Sequence, residues 1–217
     1  MTPTIDDEES NTIAALLLHL GVGADRVILN PPPGHATEAD VIRLEAAPRK
    51  RLCELVDGTL VEKAMGFNES SLAAFLIEVL GPFIRRNRLG LVAGSDGMVR
   101  LYPGRVRIPD VCFVSWDRLP GRKRPKKPIP DVAPNLAVEI LSRRNTRREM
   151  ELKRIDYFKA GVQLVWEIEL KRRFVDVYTS ADDHTRLTES DTLDGGTVLP
   201  GFTLAVAELF CELDRHG

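Results

Sequence analysis

Two short runs of strand-forming residues, each interrupted by one carboxylate, constrain this chain more than any other feature. The first spans residues 107–114 and contains Asp110, and the second spans residues 135–141 and contains Glu139. A charged side chain is disfavoured in a buried strand unless it is paired or holds a cation. The two acids lie 29 residues apart (139 − 110). We therefore expect their carboxylates to share one site.

The composition is typical of a globular protein with one main domain. With 217 residues, of which 43% are hydrophobic and 29% charged, the chain can bury one α/β core. Its longest apolar run, residues 13–20, is too short to span a bilayer and follows acidic residues, which argues against a signal peptide or membrane anchor. The three cysteines are widely spaced among apolar residues, as expected for reduced thiols in a cytoplasmic protein.

The order of the predicted elements indicates an α/β fold with a central mixed β-sheet flanked by helices. A long amphipathic helix is predicted to begin at Asn68, and Gly81-Pro82 should kink or end it. The other predicted elements are strands at 91–93, 98–102, 107–114, 163–169 and 174–178, the Glu139 strand, and a helix at 146–160.

Residues 1–50 are predicted to form an N-terminal helical extension and linker, and residues 51–212 the main domain. Ser10 is placed to cap a first helix that Gly21 and Gly23 end. Thr37, with Asp40 three residues later, predicts the capped start of a second helix.

A β-hairpin is predicted around Asp57-Gly58, because this dipeptide between two apolar runs is a preferred two-residue turn. Pairing outward from the turn sets residue 55 against 60 and residue 53 against 62. Glu62 then lies on the same face as Cys53, and Glu54 lies on the opposite face. Both glutamates have apolar neighbours, so each is a candidate for a buried site unless the hairpin ends reach solvent.

Asp110 and Glu139 offer hard oxygen ligands of the type that suits Mg²⁺ or Mn²⁺. A divalent ion held by two strand carboxylates can activate water and neutralise charge as a phosphodiester is attacked. A third candidate is Lys153, which occupies one position in an otherwise apolar row of the helix after the Glu139 strand. Its ammonium can orient water or stabilise the transition state. The structural alternative is a pair with Glu149 one helical turn away.

Basic residues follow both carboxylate strands, which makes them candidates for contacting DNA phosphates. The alternative is that these runs are ordinary solvated surface. The candidates are Arg122, Lys123, Arg124, Arg143 and Arg144.

The ordered motifs of this chain resemble those of the Uma-type restriction-endonuclease family, a bacterial family long carried as a domain of unknown function within the PD-(D/E)XK superfamily. The resemblance rests on Ile-Pro-Asp110, on Val-Glu139-Ile-Leu-Ser142, and on the helix that carries Lys153. Leu199-Pro-Gly-Phe202 and the segment from Glu54 to Glu62 also match, so that the resemblance covers roughly residues 52 to 210.

The resemblance implies a restriction-endonuclease-like fold, divalent-metal-dependent cleavage of DNA, and metal ligation by Asp110 and Glu139. The usual lysine two residues after the second acid is replaced here by Leu141, so Lys153 is the expected substitute. Restriction-like nucleases often act as dimers, which leaves a homodimer open. A glutamate from an N-terminal element often completes such sites. In order of preference, the candidates are Glu62, Glu54 and Glu69.

Two other functions fit the same residues. Leu141 in the lysine position is compatible with a catalytically inactive nuclease-fold module that binds DNA or a partner protein. In the third interpretation, the two carboxylates only pair with Arg107 or Arg143 and stabilise the fold. Uptake of Mn²⁺ that depends on the carboxylates would distinguish the enzyme from both alternatives.

Overall fold

The structure is a computed structural model in which residues 12–214 are described. It is a mixed α/β fold, as predicted. The helices are α1 Ile13–Leu20, α2 Glu38–Glu45, α3 Phe67–Arg86, α4 Arg147–Lys159 and α5 Val206–Cys211. The strands are β1 Val27–Ile28, β2 Cys53–Val56, β3 Thr59–Glu62, β4 Gly90–Ala93, β5 Val99–Tyr102, β6 Arg105–Arg107, β7 Val111–Ser115, β8 Leu136–Leu141, β9 Leu164–Glu169, β10 Phe174–Tyr178, β11 His184–Thr188, β12 Thr192–Asp194 and β13 Thr203–Ala205.

Five strands form an antiparallel sheet in the order β1-β3-β2-β6-β5. Its centre is the predicted hairpin, in which Asp57 and Gly58 have φ of 47° and 73°. These positive values are those that a two-residue hairpin turn requires. The predicted register is confirmed, because Leu55 pairs with Leu60 and Cys53 with Glu62.

Six strands form a second, mixed sheet in the order β11-β10-β9-β8-β7-β4. Only the β8–β9 pair in this sheet is parallel. Parallel neighbours need a crossover connection, and α4 provides it. The helix therefore lies over the strand that carries Glu139.

The long helix α3 packs one apolar face, Leu72, Leu76, Leu80 and Ile84, into the core beneath the six-stranded sheet. By length and composition α3 could also span a membrane, but this buried face accounts for its apolar residues. The predicted start was wrong, because Gly66 rather than Asn68 precedes the first turn. Of the two outcomes predicted at Gly81-Pro82, a kink or an end, the end is wrong, because the helix continues through Pro82 to Arg86. An internal proline costs about 3 kcal/mol, whereas burying Leu80 and Ile84 contributes about 1.5–3 kcal/mol each.

The predicted strand 107–114 is two strands in different sheets. The chain leaves the five-stranded sheet after β6, crosses at Ile108-Pro109-Asp110, and enters the six-stranded sheet at β7. Proline cannot donate a hydrogen bond to a sheet ladder, which favours a break there. Asp110 resumes the pairing, since its N–H donates to the carbonyl of Val138 at 2.9 Å.

The N-terminal segment is packed onto the five-stranded sheet, because β1 pairs with β3. Thr12 caps α1, which ends at Gly21 with φ of 69°; the predicted cap, Ser10, lies outside the described residues. The predicted capping box of Thr37 and Asp40 at the start of α2 is confirmed. Arg26, only 1% exposed, fixes the segment to α4 through an ion pair of 2.7 Å with Glu149.

Candidate active site

Asp110 lies in the crossing between the two sheets and is 3% exposed. Its Oδ2 accepts a hydrogen bond of 2.7 Å from the N–H of Ile140 on the neighbouring strand. Its Oδ1 lies 2.8 Å from Nζ of Lys63. The carboxylate of Asp110 is thus fixed beside the strand that carries Glu139.

The helix α4 brings two side chains to Glu139. Nζ of Lys153 lies 2.9 Å from Oε2 of Glu139, and the hydroxyl of Tyr157 donates to Oε1 at 2.5 Å. Lys153 and Tyr157 are four residues apart and therefore lie on one face of α4. Together they contact both carboxylate oxygens of Glu139. Lys153 does not pair with Glu149, which pairs with Arg26 instead.

Glu54, the second choice from the sequence, lies in this cluster, whereas the first choice, Glu62, does not. Oε1 of Glu54 is 3.1 Å from Nζ of Lys153, and Oε2 is 2.7 Å from Arg107. Glu62 pairs with Arg51 at 2.5 Å and its side chain is 30% exposed. The reason is strand alternation, because only the face of the hairpin that carries Glu54 is turned toward α4. Glu69, the third choice, lies in the first turn of α3.

Burial and neighbouring charges oppose each other in this cluster. Burial, reinforced by the charge of Asp110, raises the pKa of Glu139 to about 7 despite the nearby Lys153. Burial would also raise the pKa of Glu54, but the positive charges of Lys153 and Arg107 outweigh it and hold that pKa well below its ordinary value. Burial lowers the pKa of Lys153, but Glu139 and Glu54 overcome this effect and raise it above its ordinary value. Lys153 therefore stays charged.

The network has three further members: Lys63 and Asp156, which the sequence did not single out, and Arg107, which it offered only as a structural partner of the two acids. Arg107 bridges Glu54 and Asp156 at 2.7 and 2.5 Å. Within residues 12–214, neither Arg107 nor Arg143 pairs with Asp110 or Glu139, so the pairing expected for a purely structural role is not formed. The signal for Lys63 was available, because alternation from Glu62 turns residue 63 to the face of Glu54.

The donor chemistry of Asp110 and Glu139 fits a hard divalent cation. Oδ1 of Asp110 is buried and makes no aligned hydrogen bond to any residue between 12 and 214, although Lys63 is close. No group of three or more potential ligands among His, Cys, Asp and Glu occurs in the described part of the chain. Two carboxylates suit Mg²⁺, which usually keeps several waters and binds substrate phosphate oxygens.

The predicted DNA-binding residues fall in two places. Arg143 and Arg144 are exposed just after β8, at the end of the strand beside Asp110. Residues 122–124 are exposed in the loop that follows the other end of β7. That end of the strand, Ser115, is five residues from Asp110, which corresponds to about 17 Å along a strand. Two of these arginines already have acidic partners, Asp117 for Arg122 and Asp25 for Arg144.

A cleft of about 890 Å³ lies between α4 and the β9–β11 strands, and its lining includes none of the clustered acids and lysines. Two of its arginines are neutralised by its own carboxylates. Arg154 lies 2.8 Å from Glu167, and Arg186 lies 2.7 Å from Asp176. We therefore place the candidate site at the buried cluster and not in this cleft.

A family model described as Uma2, putative restriction endonuclease, matches residues 39–207. The chain belongs to the Uma2 family. The Uma2 match includes Asp110, Glu139 and Lys153, and it confirms the resemblance seen in the sequence. The chain is also similar to a solved structure, a putative nuclease belonging to DUF820 from Anabaena variabilis ATCC 29413, with a TM-score of 0.68. At 19% identity, over 79% of this chain and 96% of that one, this similarity shows that the two share a fold. The comparison with curated proteins finds no match.

Proposed function

We propose that this Uma2 protein is a divalent-metal-dependent endonuclease that hydrolyses phosphodiester bonds in DNA. The observation that carries the proposal is the convergence of Asp110, Glu139 and Lys153. They come from a crossing segment, a strand and a helix. Asp110 accepts a hydrogen bond of 2.7 Å from the backbone of Ile140, the residue after Glu139, and Glu139 forms an ion pair of 2.9 Å with Lys153. The family supports the nuclease class, and the metal and the DNA substrate are inferred from the chemistry of the site.

In the proposed mechanism, Asp110 and Glu139 hold Mg²⁺ or Mn²⁺. When bound, such an ion activates water and neutralises charge on the attacked phosphodiester. Lys153 contributes a fixed positive charge for the charged transition state. Residues 139 and 141 lie on the same face of β8, so the usual lysine at position 141 would lie beside Glu139. Lys153 contacts the carboxylate of Glu139 from α4 instead. Tyr157 holds the other oxygen of Glu139 in place.

In the same proposal, the exposed basic residues bind the phosphates of the DNA backbone. Arg143 and Arg144 are best placed, since they follow β8 directly at the end beside Asp110. Arg122, Lys123 and Arg124 lie on a separate loop, and we propose that they contact more distant phosphates. Contacts of this kind add affinity that falls with salt concentration and carries no sequence specificity.

Plasmid cleavage tests the proposal. Wild-type protein is expected to nick or cut supercoiled DNA with Mg²⁺ or Mn²⁺ and to do neither with EDTA. Asp110→Asn and Glu139→Gln remove a negative charge with little change of shape, so each should lower the rate by at least about 10²-fold. Gel electrophoresis of the plasmid forms measures the rates, and circular dichroism checks that the variants fold.

Glu167→Gln is the matched control. Glu167 is a buried carboxylate on β9, in register with Glu139 on the neighbouring strand, but it pairs with Arg154 instead of Lys153. Its variant should cleave at the wild-type rate. Cleavage that persists unchanged in both Asp110→Asn and Glu139→Gln would rule out the proposed mechanism.

A nuclease-fold binding module without turnover is the second candidate. It is favoured by one observation, that each clustered carboxylate already faces a protein cation while being at most 5% exposed. Calorimetric titration with Mn²⁺ separates the two functions. A binding module should take up no Mn²⁺ that depends on Asp110 or Glu139, but it should still retain labelled DNA in a filter assay.

A further inference from the structure

Two lysines, not one, lie against the two acids of the candidate site. Lys153 contacts Glu139, and Lys63 contacts Asp110 at 2.8 Å. The proposed chemistry uses Lys153 and gives Lys63 no role. Lys63 is nevertheless almost completely enclosed, with a side chain only 3% exposed.

The hairpin positions Lys63 firmly. Its backbone N–H donates to the carbonyl of Leu52 at 2.8 Å, which continues the β2–β3 pairing by one residue. Its ammonium donates to the carbonyl of Ile108 at 2.6 Å. Lys63 therefore joins the five-stranded sheet to the crossing segment and places its charge at Asp110.

The contact between Lys63 and Asp110 is one of charge, without an aligned hydrogen bond. In the described part of the chain, Oδ1 of Asp110 is a buried atom with no hydrogen-bond partner, whereas Oδ2 is fixed by the N–H of Ile140. Oδ1 is consequently the oxygen of Asp110 that remains for a metal ion. The ammonium of Lys63 lies next to it.

Stability alone does not account for this pair. Replacing a buried ion pair with apolar residues of similar volume is often neutral or stabilising, because both charges lose their hydration. Lys63 is also held by fewer charges than Lys153, which contacts the carboxylates of both Glu139 and Glu54. Of the two ammonium groups, that of Lys63 is the easier to displace.

We propose that Lys63 occupies the cation position at Asp110 in the metal-free protein, is displaced when a divalent ion binds, and then contacts a phosphate oxygen of the DNA. This inference rests on the proposed function. It predicts opposite effects from one substitution. Removing the ammonium removes a competitor of the metal and also removes a contact to the substrate.

The test compares metal affinity with turnover in Lys63→Met. Calorimetric titration with Mn²⁺ in the absence of DNA should show binding on the order of tenfold tighter than in the wild type, the scale on which one adjacent charge alters proton binding. Plasmid cleavage at saturating Mn²⁺ should be about 10²-fold slower. Lys63→Arg keeps the charge, so its Mn²⁺ affinity should stay close to that of the wild type and part of the cleavage rate should return.

Lys50→Met is the matched control, because Lys50 pairs with Glu45 and Asp96 at a site 46% exposed. Lys50→Met should change neither the Mn²⁺ affinity nor the rate of plasmid cleavage. Unchanged or weaker Mn²⁺ binding by Lys63→Met overturns the inference, and so does an unchanged cleavage rate. If the wild type binds and cleaves and Lys63→Met behaves like it, only the role of Lys63 fails. If the wild type neither takes up Mn²⁺ nor cleaves DNA, the proposed function fails with it.

A second measurement applies if Lys63→Met does not fold. Wild-type protein labelled with ¹⁵N at lysine side chains should show a shift of the Lys63 ammonium resonance when Mg²⁺ is added. The loss of that resonance in Lys63→Arg assigns it. A Lys63 resonance that Mg²⁺ leaves in place, in protein that binds the ion, contradicts the displacement.

Discussion

Glu54 is the residue that connects the positive charges of the buried cluster, since its two oxygens contact Lys153 and Arg107. Its pKa lies well below its ordinary value of 4.5 because those two charges outweigh the effect of burial. The folded protein therefore binds a proton at Glu54 less readily than the unfolded chain does. The resulting stability is fully present above about pH 4.5 and is lost as the pH falls toward the folded-state pKa.

Glu54→Gln should reduce the dependence of the free energy of unfolding on pH in the acidic range. Urea unfolding of the variant and the wild type between about pH 3 and 5 measures the two slopes. Glu62→Gln is the comparison on the same hairpin, since it removes a carboxylate whose ion pair with Arg51 is partly exposed to solvent, and its slope should change less than that of Glu54→Gln. A slope that Glu54→Gln leaves unchanged would contradict the assigned role of Glu54.

Glu139 acts in the opposite sense, because its pKa is raised to about 7. An acid with a raised pKa binds its proton more tightly in the folded protein, so its contribution to stability declines as the pH rises from about 4.5 to about 7. The pH dependence of the wild type combines both residues. Because the charge of Glu54 also raises the pKa of Glu139, Glu54→Gln changes both contributions, and that of Glu54 dominates below about pH 4.5, where Glu139 is protonated in both states.

Among the elements, the β2–β3 hairpin depends on close contact with the preceding linker. A Cβ on Gly58 would lie 2.5 Å from the carbonyl oxygen of Gly34, and the φ of Gly58 is 73°. Gly104 has a similar φ of 78° but has open space around it. Gly104→Ala should therefore cost only the backbone strain, about 1 kcal/mol, and Gly58→Ala should cost clearly more. Urea unfolding measures both, and equal costs would show that the linker moves aside freely.

Local rules were enough to predict much of the fold. Asp57-Gly58 identified the hairpin and its register, and the capping box of Thr37 and Asp40 identified the start of α2. The continuation of α3 through Pro82 was not predictable, because it depends on the sheet that Leu80 and Ile84 pack against. The division of residues 107–114 between two sheets is likewise a tertiary property.

The candidate site could be predicted only in part, because it too combines local patterns with tertiary packing. Strand carboxylates and helix periodicity identified Asp110, Glu139 and Lys153. Alternation separated Glu54 from Glu62, but it could not show which face of the hairpin meets α4. That choice depends on how the five-stranded sheet lies against the helix, which no local pattern encodes. Lys63 was missed because it lies on the same face of the hairpin as Glu54, and the sequence analysis preferred the opposite face, which carries Glu62.

At the scale of the whole molecule, the buried pair of Arg26 and Glu149 connects residues 123 apart in the sequence. Both side chains are only 2% exposed. Arg26→Met leaves Glu149 buried without its partner, so it should lower the free energy of unfolding by about 3–5 kcal/mol. Arg144→Ala, which removes an exposed pair with Asp25, should cost less than about 1 kcal/mol. Chemical denaturation measures both, and similar small losses would show that the N-terminal segment adds little stability.

The crossing segment at Ile108-Pro109-Asp110 places the candidate site between two sheets, where the clustered side chains are between 1 and 8% exposed. If this site acts on a phosphodiester, as proposed, its burial requires that the conformation that accepts the substrate be a minor population of the free protein. The apparent dissociation constant for DNA is then the intrinsic constant divided by the fraction of open molecules. Under the proposed function, substitutions that loosen the contact between the sheets would raise the apparent affinity for DNA while lowering the free energy of unfolding, so selection would have to balance the two.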